Sequence, residues 1–216
     1  MTTLLHLDAS ARTHSISRTL SAAFAEEWRA GNPDGDYRYR DLARDPVPFI
    51  DQGWTELCDL VLANGSTELE RIGDLAHTQA QRAAWALTWP LLAELLAADV
   101  VLIGTPMYNY SVPAALKAWI DQVAFPRMSL GHRRFVVTAA RGGAYSPGSP
   151  KADYDHQERY LRNFLAGHFG VRDAVFVNAE LANSRLDPGL AHLRAEHELS
   201  LDLALKSVRE LAGEYR

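Results

Sequence analysis

The spacing of apolar and polar positions along the chain switches back and forth between the two periods that strands and helices impose. Thr3-Leu-Leu-His-Leu7 is a short, nearly continuous apolar run and predicts a buried first strand. From about Ser17 the spacing lengthens, with Leu20, Phe24 and Trp28 at i, i+4 and i+8 on one face of a helix. Asn32-Pro33-Asp34-Gly35 supplies the turn chemistry that ends it. Tyr37-Arg-Tyr-Arg40 then alternates with period two, which predicts a half-exposed strand at a sheet edge.

The stretch from Leu42 to Ala98 reads as mostly helical. Pro46 and Pro48 mark an extended lead-in, Thr67 to Ala98 has helical composition, and Pro90 predicts a kink or a split. Val100-Val-Leu-Ile103 is the clearest buried strand. Pro113 suits the first turn of a helix running to about Val123, and Phe135-Val-Val-Thr138 predicts a fourth strand. A helix from Tyr154 to Phe169 is closed by Gly170, Val175-Phe-Val177 is a fifth strand, and Pro188 to about Ala212 is a final helix. Strands separated by helices predict an α/β fold with a parallel sheet, because parallel strands need crossover connections, and those are right-handed. Ligands of such sheets sit beyond the carboxyl ends of the strands. The loops after strands one, three and four are therefore where chemistry is expected.

Composition narrows the class. The chain has 216 residues, 47% of them hydrophobic and 23% charged, which predicts a single globular domain over 1–216 with a full core. A formal net charge of −5 argues against a nucleic-acid partner, although one phosphate needs only a few local donors. Cys58 is the only cysteine, so no intrachain disulfide and no cysteine-rich zinc site can form, as suits a reducing cytoplasm. Met1 to Asp8 lacks the pattern of a signal peptide, and Leu91 to Gly104 is interrupted by Glu94 and Asp99, so no membrane span is predicted. The histidines are dispersed. His192 and His197 lie five apart without an HExxH pattern and read as solvated helix residues, so no metal site is assigned.

Each candidate loop carries a chemical reading and a plainer one. Ser10 and Ser15-Ile16-Ser17 place hydroxyls and free backbone N–H groups where a helix begins, which is a ready anion site. The same serines would cap any helix. Met107-Tyr108-Asn109-Tyr110, held between Pro106 and Pro113, puts apolar bulk around one amide, as a flat heteroaromatic ring requires; a packed turn or subunit contact would look similar. In Ala140-Arg141-Gly142-Gly143 the paired glycines let backbone approach a ligand closely, and also suit an ordinary turn.

Taken together, Ser10 with Ser15-Ile-Ser17, Met107-Tyr-Asn-Tyr110 and Arg141-Gly-Gly143 resemble the FMN-dependent NADH:quinone oxidoreductase and azoreductase family. The resemblance extends to Arg40-Asp41-Leu42, Pro46-Val-Pro48 and the segment from Ala114 through Lys117 to Asp121. It implies a three-layer, flavodoxin-like, doubly wound sheet of five parallel strands in the order 2-1-3-4-5. It also implies that Ser10 and Ser15 to Ser17 hold the FMN phosphate, that Met107 to Tyr110 line the isoalloxazine with Asn109 on its polar edge, and that Ala140 to Gly143 reach the ring from the other side. NADH or NADPH would donate, a quinone-like acceptor would receive two electrons by a ping-pong route, and the chain would work as a homodimer.

The chain departs from the family at several positions. Phe125 to Arg134 is only ten residues where relatives carry a longer hairpin over the flavin, which predicts a more open or differently roofed pocket. Ala140 stands for Ser, Tyr145 for His, and Leu181 for Gly. Arg141 and Tyr145 are the candidates for charge stabilisation and hydrogen-bond donation near the ring, with an ion pair and an apolar roof as their plainer roles. Two rival classes stand beside this reading: a non-enzymatic flavin- or phosphate-binding carrier or regulatory module, which would share these loops, and a phospho-accepting receiver domain using Asp8. The latter needs a cluster of acids and a late Lys that Asn178-Ala-Glu180 does not supply. No GxSxG elbow supports a hydrolase.

Overall fold

The strands lie side by side and all parallel in the order β2-β1-β3-β4-β5, as the resemblance implies. They are β1 (Thr3–Asp8), β2 (Asp36–Asp41), β3 (Val100–Pro106), β4 (Arg134–Ala140) and β5 (Val175–Ala179). The computed structural model describes residues 2–65 and 68–215. Among the described residues six α-helices connect and flank the strands: α1 (Ile16–Gly31), α2 (Gln52–Asn64), α3 (Gln79–Ala97), α4 (Ala114–Val123), α5 (His156–Gly167) and α6 (Arg194–Gly213).

Side-chain alternation along the central strands builds the three layers. Leu4, Val100, Leu102 and Val136 point to one face and pack with Phe24 and Trp28 of α1 and Val208 and Ala212 of α6. Leu5, Leu7, Val101, Ile103, Phe135 and Val137 point to the other, against Leu57, Leu92, Leu95, Trp119 and Leu161 from the remaining helices. β2 lies at the edge and is half-buried along its length, as its alternation predicts.

The register sets up the site. Asp8 pairs with Gly104, Pro106 with Ala140, and Ala140 with Ala179. The carboxyl ends of four strands thus meet along one edge of the sheet.

Some local expectations are corrected. β3 and β4 run two residues or more beyond the apolar runs, so Gly104 to Pro106 and Ala139-Ala140 are strand rather than loop. The long helix does not extend unbroken to Ala98: a 3-10 turn covers Leu69–Leu75 and Thr78 starts α3 through a reciprocal capping box with Gln81. Thr67, its predicted start, lies outside the described residues. α3 is continuous through Pro90, because proline removes one ladder donor while Leu91, Leu92 and Leu95 anchor the following turns in the core. Asp155 caps α5 by accepting the Glu158 N–H, and Pro188–Leu193 forms a separate 3-10 turn before α6. His197 is buried rather than solvated, its Nδ1 bonded to the Glu180 carbonyl at 2.7 Å.

The short 125–134 segment turns inward. Phe125, Met128 and Leu130 are buried, and Leu130 N–H donates to the Phe169 carbonyl. Cys58 packs beside the same core, and burial, helped by the charge of Asp59, pushes its thiol from an ordinary 9.0 up to about 12. At pH 8 the folded protein should therefore react with iodoacetamide about 1,000-fold more slowly than the urea-unfolded chain. Mass spectrometry of alkylation against time checks this.

Candidate functional site

The loop after β1 is braced from below. Asp8 is buried and accepts from Ser21 Oγ at 2.8 Å, Tyr39 Oη at 3.1 Å and Arg18 Nη1 at 3.4 Å. Arg18 continues the chain of contacts through Nη2, to Asp41 at 2.7 Å and to the Ser10 carbonyl at 2.8 Å. Burial would raise the Asp41 pKa, but the Arg18 hydrogen bond, the Arg44 and Ala43 amides and the Arg18 charge outweigh it, and the carboxyl is lowered. Burial, then the charge of Asp8, lifts the Tyr39 phenol to about 12, so it stays a donor. With three donors on it, Asp8 is a brace and not a free phosphoryl acceptor.

Above that brace, Ser15 caps α1 by accepting the Arg18 N–H at 3.1 Å. Its hydroxyl also meets Ser17 Oγ at 3.0 Å. Ser17 is fully buried, so its side chain is not presented to a ligand. The cap satisfies the third amide of the helix, and the amides of Ile16 and Ser17 have no partner among the described residues, at the positive end of the helix dipole. Capping and anion binding coexist here, on different groups.

The loop after β3 is a tight two-residue turn. Tyr108 and Ser111 exchange both backbone hydrogen bonds at 3.0 Å, while Asn109 (φ 48°) and Tyr110 (φ 68°) occupy the left-handed region. A tyrosine there costs about 1–2 kcal/mol, while asparagine enters the region more readily. Strain of this kind gathers where a loop must present particular side chains. The Tyr110 ring sits 6.3 Å from that of Tyr145 and 5.7 Å from that of Tyr154. Tyr108 Oη accepts from the Ala11 N–H at 3.3 Å, tying this loop to the first.

The loop after β4 is stitched to the segment after β5. Arg141 N–H donates to the Ala179 carbonyl, and the carbonyls of Arg141, Gly142 and Gly143 accept from Ala182, Asn183 and Leu181. Because N–H and C=O point oppositely in a trans peptide, the amides of Gly142 and Gly143 face away from that segment and have no partner among the described residues. A Cβ on Gly142 would lie 2.6 Å from Asn183 Nδ2. The glycine thus admits Asn183, a reason for it that the sequence does not show.

Arg141 is corrected. It is 2% exposed, and its guanidinium is held by Asp155 (2.9 Å), Glu158 (3.0 Å) and Glu180 (3.6 Å). It is a buried strut, not a free charge near a ring. Tyr145 is buried, with a hydroxyl that no described residue engages. Burial, and next the nearby Tyr110 phenol, raise its pKa, so the hydroxyl keeps its proton at neutral pH.

These loops enclose a cavity of about 560 Å³. Ser10, Ser15 and Ile16 line one end, Met107 to Tyr110 one wall, and Ala140 to Gly142 with Tyr145 another. Ser17 and Gly143, both expected there, are not among its lining residues. Nothing from 125–134 reaches the cavity. Four lining residues outside the expected set, Arg12, Lys151, Asn183 and Arg185, carry most of the added polarity. Arg12, Lys151 and Arg185 have no side-chain partner among the described residues, and no carboxylate lines the cavity. No motif could have announced Lys151 or Arg185, which come from a turn and from a short 3-10 helix (Ala182–Arg185) far along the chain. A wider groove of about 960 Å³ between α1 and α6 shares His14 to Ile16 and Arg185 with the cavity, but it lies off the strand ends and mixes Glu26 and Glu198 with its arginines.

An elongated ligand with an anionic end and a flat ring at the other matches this arrangement. Free amides at the helix start serve the anion, and aromatic side chains with the free Gly142 amide serve the ring. Comparison with known proteins agrees. The family model described as flavodoxin-like fold matches residues 2–200. An FMN-dependent NADH:quinone oxidoreductase of Nocardia farcinica is 68% identical over 216 residues, covering 100% of both chains. Another of that name from Frankia alni is 38% identical over 223 residues, covering 99% of this chain and 100% of the relative. Among solved structures, an FMN-dependent NADH-azoreductase of Bacillus anthracis in complex with FMN superposes with a TM-score of 0.77 at 21% identity, covering 99% of each chain, a likeness of fold.

Proposed function

The chain belongs to the flavodoxin-like family of FMN-dependent NADH:quinone oxidoreductases, and from that premise we propose that its strand-end cavity binds FMN and passes two electrons from NADH to a quinone-like acceptor. One observation carries the assignment to this cavity. The unpartnered amide of Ile16 at the start of α1 and that of Gly142 border the same space, between walls that hold Met107, Tyr108 and Tyr145. The names of the relatives speak for an enzyme rather than an electron carrier.

In this reading Ser10, Ser15 and the Ile16 and Ser17 amides hold the phosphate. Asn109 and the Gly142 amide meet the polar edge of the ring, and Met107, Tyr108 and Tyr110 cover a face. The chemistry FMN supplies when bound is acceptance of hydride from the nicotinamide and its later release, as two electrons, to the acceptor. Arg12, Lys151 and Arg185 attract the anionic donor. The protonated Tyr145 hydroxyl donates a hydrogen bond to an acceptor oxygen. A single shared cavity makes donor and acceptor alternate, which gives ping-pong kinetics.

The homodimer belongs to the same proposal. Phe49 is 78% exposed and Ile50 is beside it, an apolar pair that a second copy would cover, and sedimentation of the purified protein tests it. No described helix is long and apolar enough to cross a membrane. A cytoplasmic location suits a donor kept inside the cell.

The deciding experiment is an absorption spectrum of the protein loaded with FMN, followed by NADH under nitrogen and then a quinone. Flavin bands that bleach with NADH and return with the quinone are expected. Failure to take up FMN would overturn the flavoprotein reading, and bound flavin that neither NADH nor NADPH reduces would leave a carrier.

A further inference from the structure

We infer that Glu180 is a positioning residue whose buried carboxylate sets the 142–146 loop, and with it the ring-facing wall of the cavity; the inference rests on the flavin reading only for its effect on FMN. Glu180 follows directly on β5 and is 8% exposed. Its Oε1 accepts the Tyr145 N–H at 2.7 Å and its Oε2 accepts the Ser146 hydroxyl at 2.7 Å. Its backbone is fixed from the opposite side: its N–H donates to Ser200 Oγ at 3.0 Å and its carbonyl accepts from His197 Nδ1 at 2.7 Å, both on α6. The residue is thus a bridge with one end in the scaffold and the other in the loop.

The distances separate this role from a contribution to the buried ion-pair cluster. Arg141 is already served by Asp155 at 2.9 Å and Glu158 at 3.0 Å, and Glu180 is its third and longest contact at 3.6 Å. The two shortest bonds of the Glu180 carboxylate go to the loop. A carboxylate taken from water keeps its charge only where donors replace the lost hydration, so the bonds from Tyr145 and Ser146 hold both partners in place. Leu181, next in the chain, takes φ 61° and donates to the Gly143 carbonyl, so the backbone bends sharply enough to bring Glu180 under the loop. Together these contacts orient the Gly142 and Gly143 amides and place the Tyr145 hydroxyl. Glu180 itself is absent from the cavity wall.

The test compares the wild type with Glu180→Ala and Glu180→Gln, first without flavin. Hydrogen exchange is measured by mass spectrometry on peptides covering 142–149, together with the urea midpoint. Glu180→Ala should speed exchange in that segment roughly tenfold or more while distant peptides of β1 and β3 keep their protection. Glu180→Gln, which retains an acceptor for the Tyr145 N–H, should recover most of the protection. With FMN, quenching of flavin fluorescence should show weaker binding in Glu180→Ala, and flavin reduction by NADH should slow about 100-fold with a smaller change in KM, as expected when reacting groups are misplaced. Exchange and FMN affinity both unchanged in Glu180→Ala would overturn the inference. So would a uniform loss of protection across the protein, which would mark the residue as part of the general scaffold. If the wild type takes up no FMN, the flavin reading fails, and the exchange comparison still decides whether Glu180 positions the loop.

Discussion

Replacing Arg141 by methionine should destabilise the protein by roughly 3 kcal/mol, the lower end of what breaking a buried ion pair costs. Methionine keeps much of the volume and removes the charge, so the carboxylates of Asp155, Glu158 and Glu180 lose their common partner. The cost falls at the lower end because these side chains retain some exposure and other donors. Glu158 keeps Arg162 and Asn178, and Glu180 keeps Tyr145 and Ser146. Urea unfolding followed by circular dichroism measures the loss. Its pH dependence has a defined sign. Burial would raise the Glu158 pKa, but the bonds from Asn178 and Arg162 and the charges of Arg162 and Arg141 together hold it below the ordinary 4.5. A carboxylate lowered on folding stabilises fully above its unfolded pKa, and that stability is lost as pH falls through the folded value. The deficit of Arg141→Met should therefore be largest above about pH 5 and should narrow below pH 4. A deficit that stayed constant down to pH 3 would mean that lost packing, not charge, carries the effect.

The second large effect is expected at Gly104, a glycine in the middle of the sheet. A Cβ there would sit 2.2 Å from Asp8 Oδ1 and 2.7 Å from Ser21 Oγ. β3 cannot yield, since Gly104 is paired on both sides, with Asp8 and with Thr138. Asp8 must instead rotate away from Ser21, and with it goes the support of Tyr39 and Arg18. Overpacking costs about 1–3 kcal/mol and a lost hydrogen bond to a charged group about 1.5–3, so Gly104→Ala should lose roughly 3 kcal/mol or more. Because Arg18 also holds the Ser10 carbonyl, FMN affinity should fall with it. Gly167→Ala is the contrast: nothing lies within 4 Å of that Cβ at the end of α5, and the change should stay within about 1 kcal/mol of wild type. Urea midpoints and flavin titrations of the two variants check the pair. Equal behaviour would sink the brace proposed beneath the loop after β1.

Both predictions concern groups whose importance the linear sequence conceals. Arg141 is visible beside two glycines and reads as a charge for the ring, yet three carboxylates from other parts of the chain claim it. Gly104 reads as the start of a loop, yet it is strand, placed there to clear a buried aspartate. His197 shows the same effect on a helix: its spacing from His192 suggests solvent, and burial follows only from the approach of the β5 end. Where a segment's own residues decide, the reading holds. Thr3 to Leu7 and Val100 to Ile103 are strands because runs of apolar side chains need a buried sheet, and Ser15 begins α1 because its hydroxyl can accept a backbone amide three residues on. Pro90 is the exception inside that rule, since burial of Leu91, Leu92 and Leu95 outweighs one missing donor.

The sequence by itself determined the alternation of strands and helices, the parallel sheet that alternation demands, and the three loops at the strand ends where Ser10, Met107 to Tyr110 and Gly142 now face one cavity. Hydrophobic periodicity and capping act over a few residues and can be read locally. Tertiary structure alone decided that Asp8 braces the first loop, that Glu180 and Asn183 shape the third, and that Arg12, Lys151 and Arg185 make the cavity basic. The reason is that a polar side chain's role depends on its desolvation and its partners. Both are set by elements that meet only when the sheet register brings distant strand ends together.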